Sequence, residues 1–270
     1  MALERVARDG LVLLGCGKMG SALLAGWLAA GVPAASVWVN EPNPTDWLRG
    51  TGVHLNEGVP PAPAVALLAV KPQMMGAALP ALQALGNGTT LFVSIAAGTT
   101  IAAFEAALGD RTPIVRTMPN TPAMVNRGIT ALCRNAHATD ADMALAVALM
   151  AAVGETVILD GEHQIDAVTA VSGSGPAYVF HLIEALAAAG EAEGLSPDVA
   201  MRLARATVCG AGELAHRAPD SAAQLRINVT SPGGTTAAAL GVLMDESTGL
   251  PPLMKKAVKA AADRGRELGK

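Results

Sequence analysis

Aromatic side chains are nearly missing from this 270-residue chain: three Phe, three Trp and one Tyr make up 3% of it. A core without rings must close up on small side chains, and the abundant alanine favours helices that pack closely. Charge is also thin. Charged residues are 16% of the chain, and 19 Lys and Arg against 23 Asp and Glu leave a net charge of −4. No basic stripe or cluster stands out, which argues against nucleic acid as a partner. Cysteine is limited to Cys16, Cys133 and Cys209. An odd, widely spaced set without a CxxC pair suggests neither a zinc site nor a disulfide framework, and reads as reduced, mostly buried thiols in a cytoplasmic protein. A membrane helix needs about 18 or more consecutive apolar residues. The two long uncharged stretches, Met19–Asn40 and Pro72–Phe104, are broken by Gly, Pro and Asn, so no membrane span is expected. The opening MALERVARDG lacks the apolar core of a secretory signal. His54, His137, His163, His181 and His216 lack metal-ligand spacing, and no catalytic triad or carboxylate pair is visible. No metal site is therefore expected, and a reaction run here would rest on a cofactor that carries the chemistry itself.

What the chain does have is apolar residues, 51% of the total, and a change of pattern near residue 160. Before it, short apolar runs at Leu11–Leu14, Val37–Asn40, Val65–Val70, Thr90–Ser94 and Ile114–Thr117 alternate with helical stretches at Lys18–Ala30, Gln73–Leu85 and Ile101–Leu108. That alternation predicts βαβ units and a mainly parallel, doubly wound α/β sheet. Ile129–Cys133 and Thr156–Leu159 extend the sheet around a helix at Asp140–Ala152. After Gly161 the strand-like runs stop and Ala/Leu-rich helices take over. Tyr178, Leu182 and Leu186 keep helical spacing, Ser196-Pro197-Asp198 opens a further helix, and Pro251–Lys270 closes the chain. The expected domains are 1–160, which binds a dinucleotide, and 161–270, all helical. The second is so poor in charge that it is expected to bury a face against another copy of itself.

LVLLGCGKMGSALLAGWL carries the first motif. Gly15, Gly17 and Gly20 form G-x-G-x-x-G between an apolar strand and a helix. The first allows the tight turn, the second lets a pyrophosphate approach the backbone, and the third lets the helix pack on the strand. The diphosphate then rests on the helix N-terminus at Lys18 and Met19. An acid about 20 residues further on would hold the ribose 2′-hydroxyl of NAD. The position falls on neutral Asn40, which favours NADP, while Glu41 beside it keeps NADH usable. LLAVKPQ ends a buried strand at Ala69, Val70, Lys71 and Pro72, where ligands of open α/β sheets bind. VSIAAG, with Ala96 and Ala97, and TMPNTPA lie at further strand ends, where small residues leave room for a flat ring.

Residues 229–240, VTSPGGTTAAAL, pose a different question. Ser231 suits an N-cap and Pro232 the first helical position, which would put Gly233 and Gly234 inside the first turn, where glycine weakens a helix. Bare glycine backbone beside free N–H donors suits a small anion. AVSGSGPAY repeats the arrangement around Ser174, Gly175 and Pro176.

Taken together, LLGCGKMGSALLAGWL, LAVKPQ, SIAAG, RTMPNTPA, DAVTAVSGSGPAY and LRINVTSPGGTTAAAL resemble the pyrroline-5-carboxylate reductase family, in its order and over nearly the whole chain. The resemblance implies a Rossmann-type domain followed by a helical dimerisation domain, in interlocked homodimers that can assemble further. It implies an active site that combines one subunit's cofactor domain with its partner's helices. By that likeness Gly15, Gly17, Lys18, Met19, Gly20, Asn40, Ala69, Val70, Lys71, Pro72, Ala96 and Ala97 bind NADP(H). Ser231, Gly233, Gly234, Thr235 and Thr236 hold the substrate, with Glu162 as a further substrate-side acid. Thr236 is the catalytic candidate, able to orient the imine nitrogen. HRAPDSAAQLRINV departs from the family's approach to the SPGG turn, so no functional residue is carried over from 213–228. Two other readings stay open in the sequence: a reductase of another cyclic imine or a 2-hydroxy acid, and a non-enzymatic NAD(P)-sensing scaffold.

Overall fold

A computed structural model describes residues 2–269 of the chain. It separates into two compact units. The first runs to Gly173 and takes back the C-terminal segment from Ala261; the second is Ser174–Ala260.

In the first unit, β1 (Leu11–Leu14), β2 (Val37–Asn40), β3 (His54–Leu55), β4 (Val65–Leu68), β5 (Leu91–Ser94), β6 (Ile114–Met118), β7 (Gly128–Arg134) and β8 (Gly154–Ile158) form one sheet in the order β3-β2-β1-β4-β5-β6-β7-β8. The pairs from β3 to β6 are parallel, as is β7 with β8, whereas β6 and β7 are antiparallel. The turn between those two explains the reversal. Its only regular element is the 3₁₀ stretch Thr121–Val125, followed by Asn126 in the left-handed region at φ 56°. A link this short cannot make the crossover that a parallel pair needs.

β1, β4 and β5 are buried along their whole length, as expected for strands covered on both faces. Their side chains alternate between two layers. Leu11, Leu13, Val65, Leu67, Leu91 and Val93 pack with α1 (Ala2–Asp9), α2 (Lys18–Ala29) and α6 (Asp140–Ala151). Val12, Leu14, Ala66, Leu68 and Phe92 pack with α4 (Pro72–Ala78), α5 (Ile101–Leu108) and α7 (Ile165–Val168). The short α3 (Asp46–Arg49) caps on Thr45. Where the sequence suggests one helix over Gln73–Leu85, the structure has α4 and then a 3₁₀ stretch, Leu79–Leu85, with Pro80 near its start. Proline cannot donate to the turn before it, so the α-helix stops there.

Residues 161–173, which follow the change of sequence pattern, cluster with the sheet unit. The reason is local: Ile165 is 1% exposed within the second layer, and the Glu162 side chain is bonded inside the same unit.

The second unit contains α8 (Gly175–Ala192), α9 (Pro197–Arg217), α10 (Ala222–Asn228), α11 (Thr235–Leu243) and the first part of α12 (Leu250–Leu268). α8 and α9 form a hairpin whose buried cluster is Ala187, Ala200 and Ala204. A Cβ on Gly190 would lie 3.4 Å from that of Ala200, so the close contact is made by small residues, as the composition suggests. Larger apolar side chains stay outside: Phe180 is 61% exposed, Leu253 58% and Val242 72%. So much exposed apolar surface on helices with so small a core marks a face built for a partner. Among the described residues, no helix is long and apolar enough to cross a membrane.

Candidate functional site

The chain leaves β1 and β2 on one side of the sheet and resumes at β4 on the other, so the switch point lies between β1 and β4. The glycine loop follows β1 and the Ala69-Val70-Lys71 segment follows β4, at the carboxyl ends where α/β sheets bind ligands. Each glycine has its own reason. Gly15 sits at φ +88°, and a Cβ there would come within 3.0 Å of the Ala69 carbonyl and 2.9 Å of Val70 Cγ1. Its N–H donates to Asn40 O at 2.8 Å, which joins the loop to the end of β2. A Cβ on Gly20 would stand 2.6 Å from Gly15 O, so glycine alone lets α2 close on the loop. A Cβ on Gly17 would meet nothing within 4 Å. Gly17 is also the N-cap of α2, with no side-chain cap, which leaves the N–H groups of Lys18 and Met19 facing outward with the positive end of the helix dipole. An exposed, bare-backbone cradle before a twelve-residue helix fits a dinucleotide's pyrophosphate.

The other strand ends line the same edge. Ala69 N donates to Leu14 O at 2.8 Å, and Ile95 N to Leu68 O at 3.1 Å. Lys71 is the N-cap of α4, with Pro72 at the first helical position. Beyond β5, Ala96 is buried and Ala97 exposed; the Ser94 hydroxyl accepts the Ala96 N–H at 3.1 Å, and the Thr117 hydroxyl donates to Ser94 O at 3.0 Å.

Three further side chains complete this edge. The Glu41 carboxylate folds back onto the glycine loop and accepts Cys16 N–H at 2.8 Å. Asn120 accepts the Ile129 N–H at 3.0 Å and donates to the Ser172 hydroxyl at 3.2 Å, tying the turn after β6 to Ser172 within the first unit. Arg116, on β6, is 4% exposed and pairs with Glu162 at 2.6 Å. No local pattern announces partners that are 46 or 52 residues away.

The thiols close by are inert. Burial, and then the negative charge of Glu41, pushes Cys16 up to about 11. Cys133 is likewise pushed to about 11, by burial and by Glu162 against the opposing pull of Arg116.

In the second unit the turn before α11 differs from the sequence expectation. Ser231 is not the helix N-cap; Gly234 is. Ser231-Pro232-Gly233-Gly234 is a β-turn closed by Gly234 N–H on Ser231 O at 3.0 Å, with Gly233 at φ +68°. Proline followed by a residue of positive φ is a type II turn, which calls for glycine at its third position. The Gly234 N–H is thus engaged in the turn and cannot be an anion donor. The donors left by the geometry are the N–H groups of Thr235 and Thr236 in the first turn of α11, beside the exposed Ser231 hydroxyl. A Cβ on Gly233 would meet nothing within 4 Å, so this side of the turn is open to a ligand. The other segment, around Ser174, is no free helix start: a π-turn at Thr169–Gly173 leads into α8 and Ser174 keeps helical dihedrals.

Glu162 lies in the first unit. One of its oxygens, Oε1, accepts both Arg116 Nη1 at 2.6 Å and Ile101 N–H at 2.8 Å.

Known proteins match both halves. The family described as pyrroline-5-carboxylate reductase dimerisation matches residues 162–268, and that described as NADP oxidoreductase, coenzyme F420-dependent, matches residues 11–98. The chain is 42% identical over 264 residues to the pyrroline-5-carboxylate reductase of Pseudomonas aeruginosa, covering 96% of each chain. It is 41% identical over 267 residues to that of Synechocystis sp., covering 96% of this chain and 98% of the other. The solved pyrroline-5-carboxylate reductase of Coxiella burnetii superimposes with a TM-score of 0.89 at 36% identity, over 97% of this chain and 99% of that one. The Plasmodium falciparum pyrroline carboxylate reductase, solved with NADP bound, gives 0.82 at 29% identity, with the same coverage.

Proposed function

The chain belongs to the pyrroline-5-carboxylate reductase family, and from that premise we propose that it reduces (S)-1-pyrroline-5-carboxylate to L-proline as a homodimer, or an assembly of dimers, in the cytoplasm. NADPH is the preferred donor and NADH a usable one. The observation that carries the reading is the bare turn at Gly233, open on its Cβ side and placed directly before the N-terminus of α11.

The substrate is a cyclic imine bearing a carboxylate. Thr235 and Thr236 N–H and the Ser231 hydroxyl hold that carboxylate, each charge-assisted bond contributing about 1.5–3 kcal/mol. Gly233 keeps the approach clear, and Gly234 closes the turn behind it. Gly15, Gly17 and Gly20 shape the loop in which Lys18 and Met19 N–H hold the pyrophosphate. Asn40 would hold the adenosine ribose, and Ala69 to Pro72 with Ala96 and Ala97 would hold the nicotinamide half at the strand ends. The bound dinucleotide supplies the hydride that reduces the C=N bond. Thr236 orients the ring nitrogen through its hydroxyl; a hydroxyl is too weak an acid at neutral pH to be the proton source, so the proton comes from solvent. Catalysis would then rest mainly on orienting the imine rather than on an acid or base side chain. The exposed apolar helices of the second unit are covered by the partner subunit, consistent with the dimerisation family matched there.

The test is to follow NADPH absorbance with and without pyrroline-5-carboxylate and to identify the product. Oxidation that depends on this substrate and yields proline is expected. No dependence on it, or a response only to another imine or to a 2-hydroxy acid, would overturn the assignment.

A further inference from the structure

Resting on the dinucleotide site proposed above, we infer that the last turn of α12 is a positioning element for the reaction: its main chain holds the loop after β5, and through it the Ala96-Ala97 backbone that takes the nicotinamide half. The loop runs from Ile95 to Thr100, between β5 and α5. Hydrogen bonds tie down its two ends. At the first, Ile95 N–H donates to Leu68 O at 3.1 Å and Ala96 N–H to the Ser94 hydroxyl at 3.1 Å. At the second, the Thr100 hydroxyl caps α5 by accepting Ala103 N–H at 3.2 Å, and Glu162 accepts Ile101 N–H at 2.8 Å.

The middle of the loop meets α12 instead. Gly98 sits at φ +74°, and a Cβ there would lie 3.3 Å from Leu268 O and 3.4 Å from Leu268 Cβ. A Cβ on Gly269 would lie 3.6 Å from Gly98 O. Glycine is therefore required at position 98 by its dihedral and again by the closeness of the helix end. The segment that makes this contact is itself seated. From Ala261 on, α12 clusters with the first unit, and Ala262 is buried. Gly265 brings the helix so near α7 that a Cβ there would lie 3.0 Å from Asp166 Oδ1. A loop held only at its ends must be ordered each time the dinucleotide binds, and that entropy is lost from the affinity. The α12 contact orders the loop in advance.

The test uses two ligands and calorimetry. NADPH reaches the loop, whereas adenosine 2′,5′-bisphosphate carries only the adenosine end. In a chain stopped after Glu267, NADPH affinity is expected to fall about fivefold or more, the equivalent of ordering about one residue of backbone. The bisphosphate should bind as before, the melting temperature should change little, and the loss should appear in KM for NADPH rather than in kcat. Leu268→Ala in the whole chain keeps the carbonyl and Cβ that face Gly98, and should bind NADPH more tightly than the shortened chain. Gly269→Val keeps the chain whole and crowds the loop from the same side; it should weaken NADPH and spare the bisphosphate, and it decides the matter if the shortened chain does not fold. Unchanged NADPH affinity, equal loss of both ligands, or a Leu268→Ala protein as weak as the shortened one would each overturn the inference and leave the proposed reaction standing. Tight NADPH binding without oxidation by the imine would overturn the reaction and leave this comparison readable. Failure of the unaltered protein to bind NADPH would overturn both.

Discussion

Glu162 and Arg116 meet at 2.6 Å, through the same Glu162 oxygen that accepts the Ile101 N–H at the start of α5. One atom thus joins β6, α5 and the segment that leads into α7. The Arg116 side chain is 5% exposed and that of Glu162 30%, and Arg116 Nε has no partner. Removing the carboxylate leaves a buried guanidinium without its counter-charge. Breaking a buried pair costs about 3–5 kcal/mol, and the partial exposure of Glu162 reduces this to roughly 2–3. Glu162→Ala should show that loss in denaturant titrations, and Arg116→Met combined with Glu162→Met should recover most of it. Glu162→Gln adds a test of the substrate-side role: that role requires KM for the imine to rise by more than the stability change accounts for.

The glycine loop separates folding from binding. Gly20→Ala puts a Cβ 2.6 Å from Gly15 O, so the helix must shift, at about 1–3 kcal/mol by the usual cost of overpacking. Gly17→Ala has room for its Cβ and an extended φ of −70° that alanine adopts. It should keep its melting temperature while nucleotide affinity falls about tenfold or more, because the methyl group stands between the ligand and the α2 donors. Melting curves with and without NADPH check both.

The centre of the sheet was legible because β1, β4, β5 and β6 are buried on both faces, and β1, β4 and β5 read as largely apolar runs. β1 and β2 lie where the apolar pattern puts them. β3 was not legible, since His54 and Leu55 are two residues that pair only by their position beside β2. α1 was missed because ALERVARD has just two large apolar side chains, Leu3 and Val6, which pack on the first layer. The glycine loop could be read residue by residue, since each glycine answers a backbone demand. The turn at Ser231–Gly234 was read as a helix start, but proline with a following glycine satisfies a type II turn equally well, and only the Gly234-to-Ser231 bond decides between them. Arg116 and Asn120 act through partners set by the fold, so their roles emerge only from the structure.

Asp142 gives the fold a dependence on acid. Burial by itself would raise its carboxyl. Hydrogen bonds from the Thr139 hydroxyl and N–H, and from Arg5, outweigh that and hold it below the ordinary 3.8. Its contribution is therefore complete above the unfolded value and is lost as pH falls through the lowered folded value. Asp142→Ala should melt earlier than the unaltered protein at neutral pH, and the gap should narrow as the pH is taken below the carboxylate range. A gap that stays constant with pH would place the effect in the lost helix cap alone.

Thr236 is assigned to orientation, so its loss should appear in turnover. Thr236→Ala removes one hydrogen bond to the imine nitrogen, worth about 1–1.5 kcal/mol, and kcat should fall about tenfold. The NADPH dissociation constant should change little. Thr236→Ser, which keeps the hydroxyl, should retain most of the rate. Unchanged steady-state rates in the alanine variant would remove Thr236 from the mechanism.

The last prediction concerns the turn that the reading depends on most. Gly233 sits at φ +68°, where a side chain costs about 1–2 kcal/mol, and its Cβ would project into open space on the ligand side of the proposed site. Gly233→Ala should therefore weaken binding of proline, the product, at least tenfold. NADPH affinity should be unchanged, because the glycine loop lies in the other unit. Gly234→Ala is the informative contrast: its φ of −80° is ordinary, and its Cβ would lie 3.2 Å from Ser231 O on the inner side of the turn. It should disturb the turn modestly and weaken proline less than the Gly233 variant does. Equal proline affinity in all three proteins, measured by calorimetry in the presence of saturating nucleotide, would move the carboxylate site away from this turn.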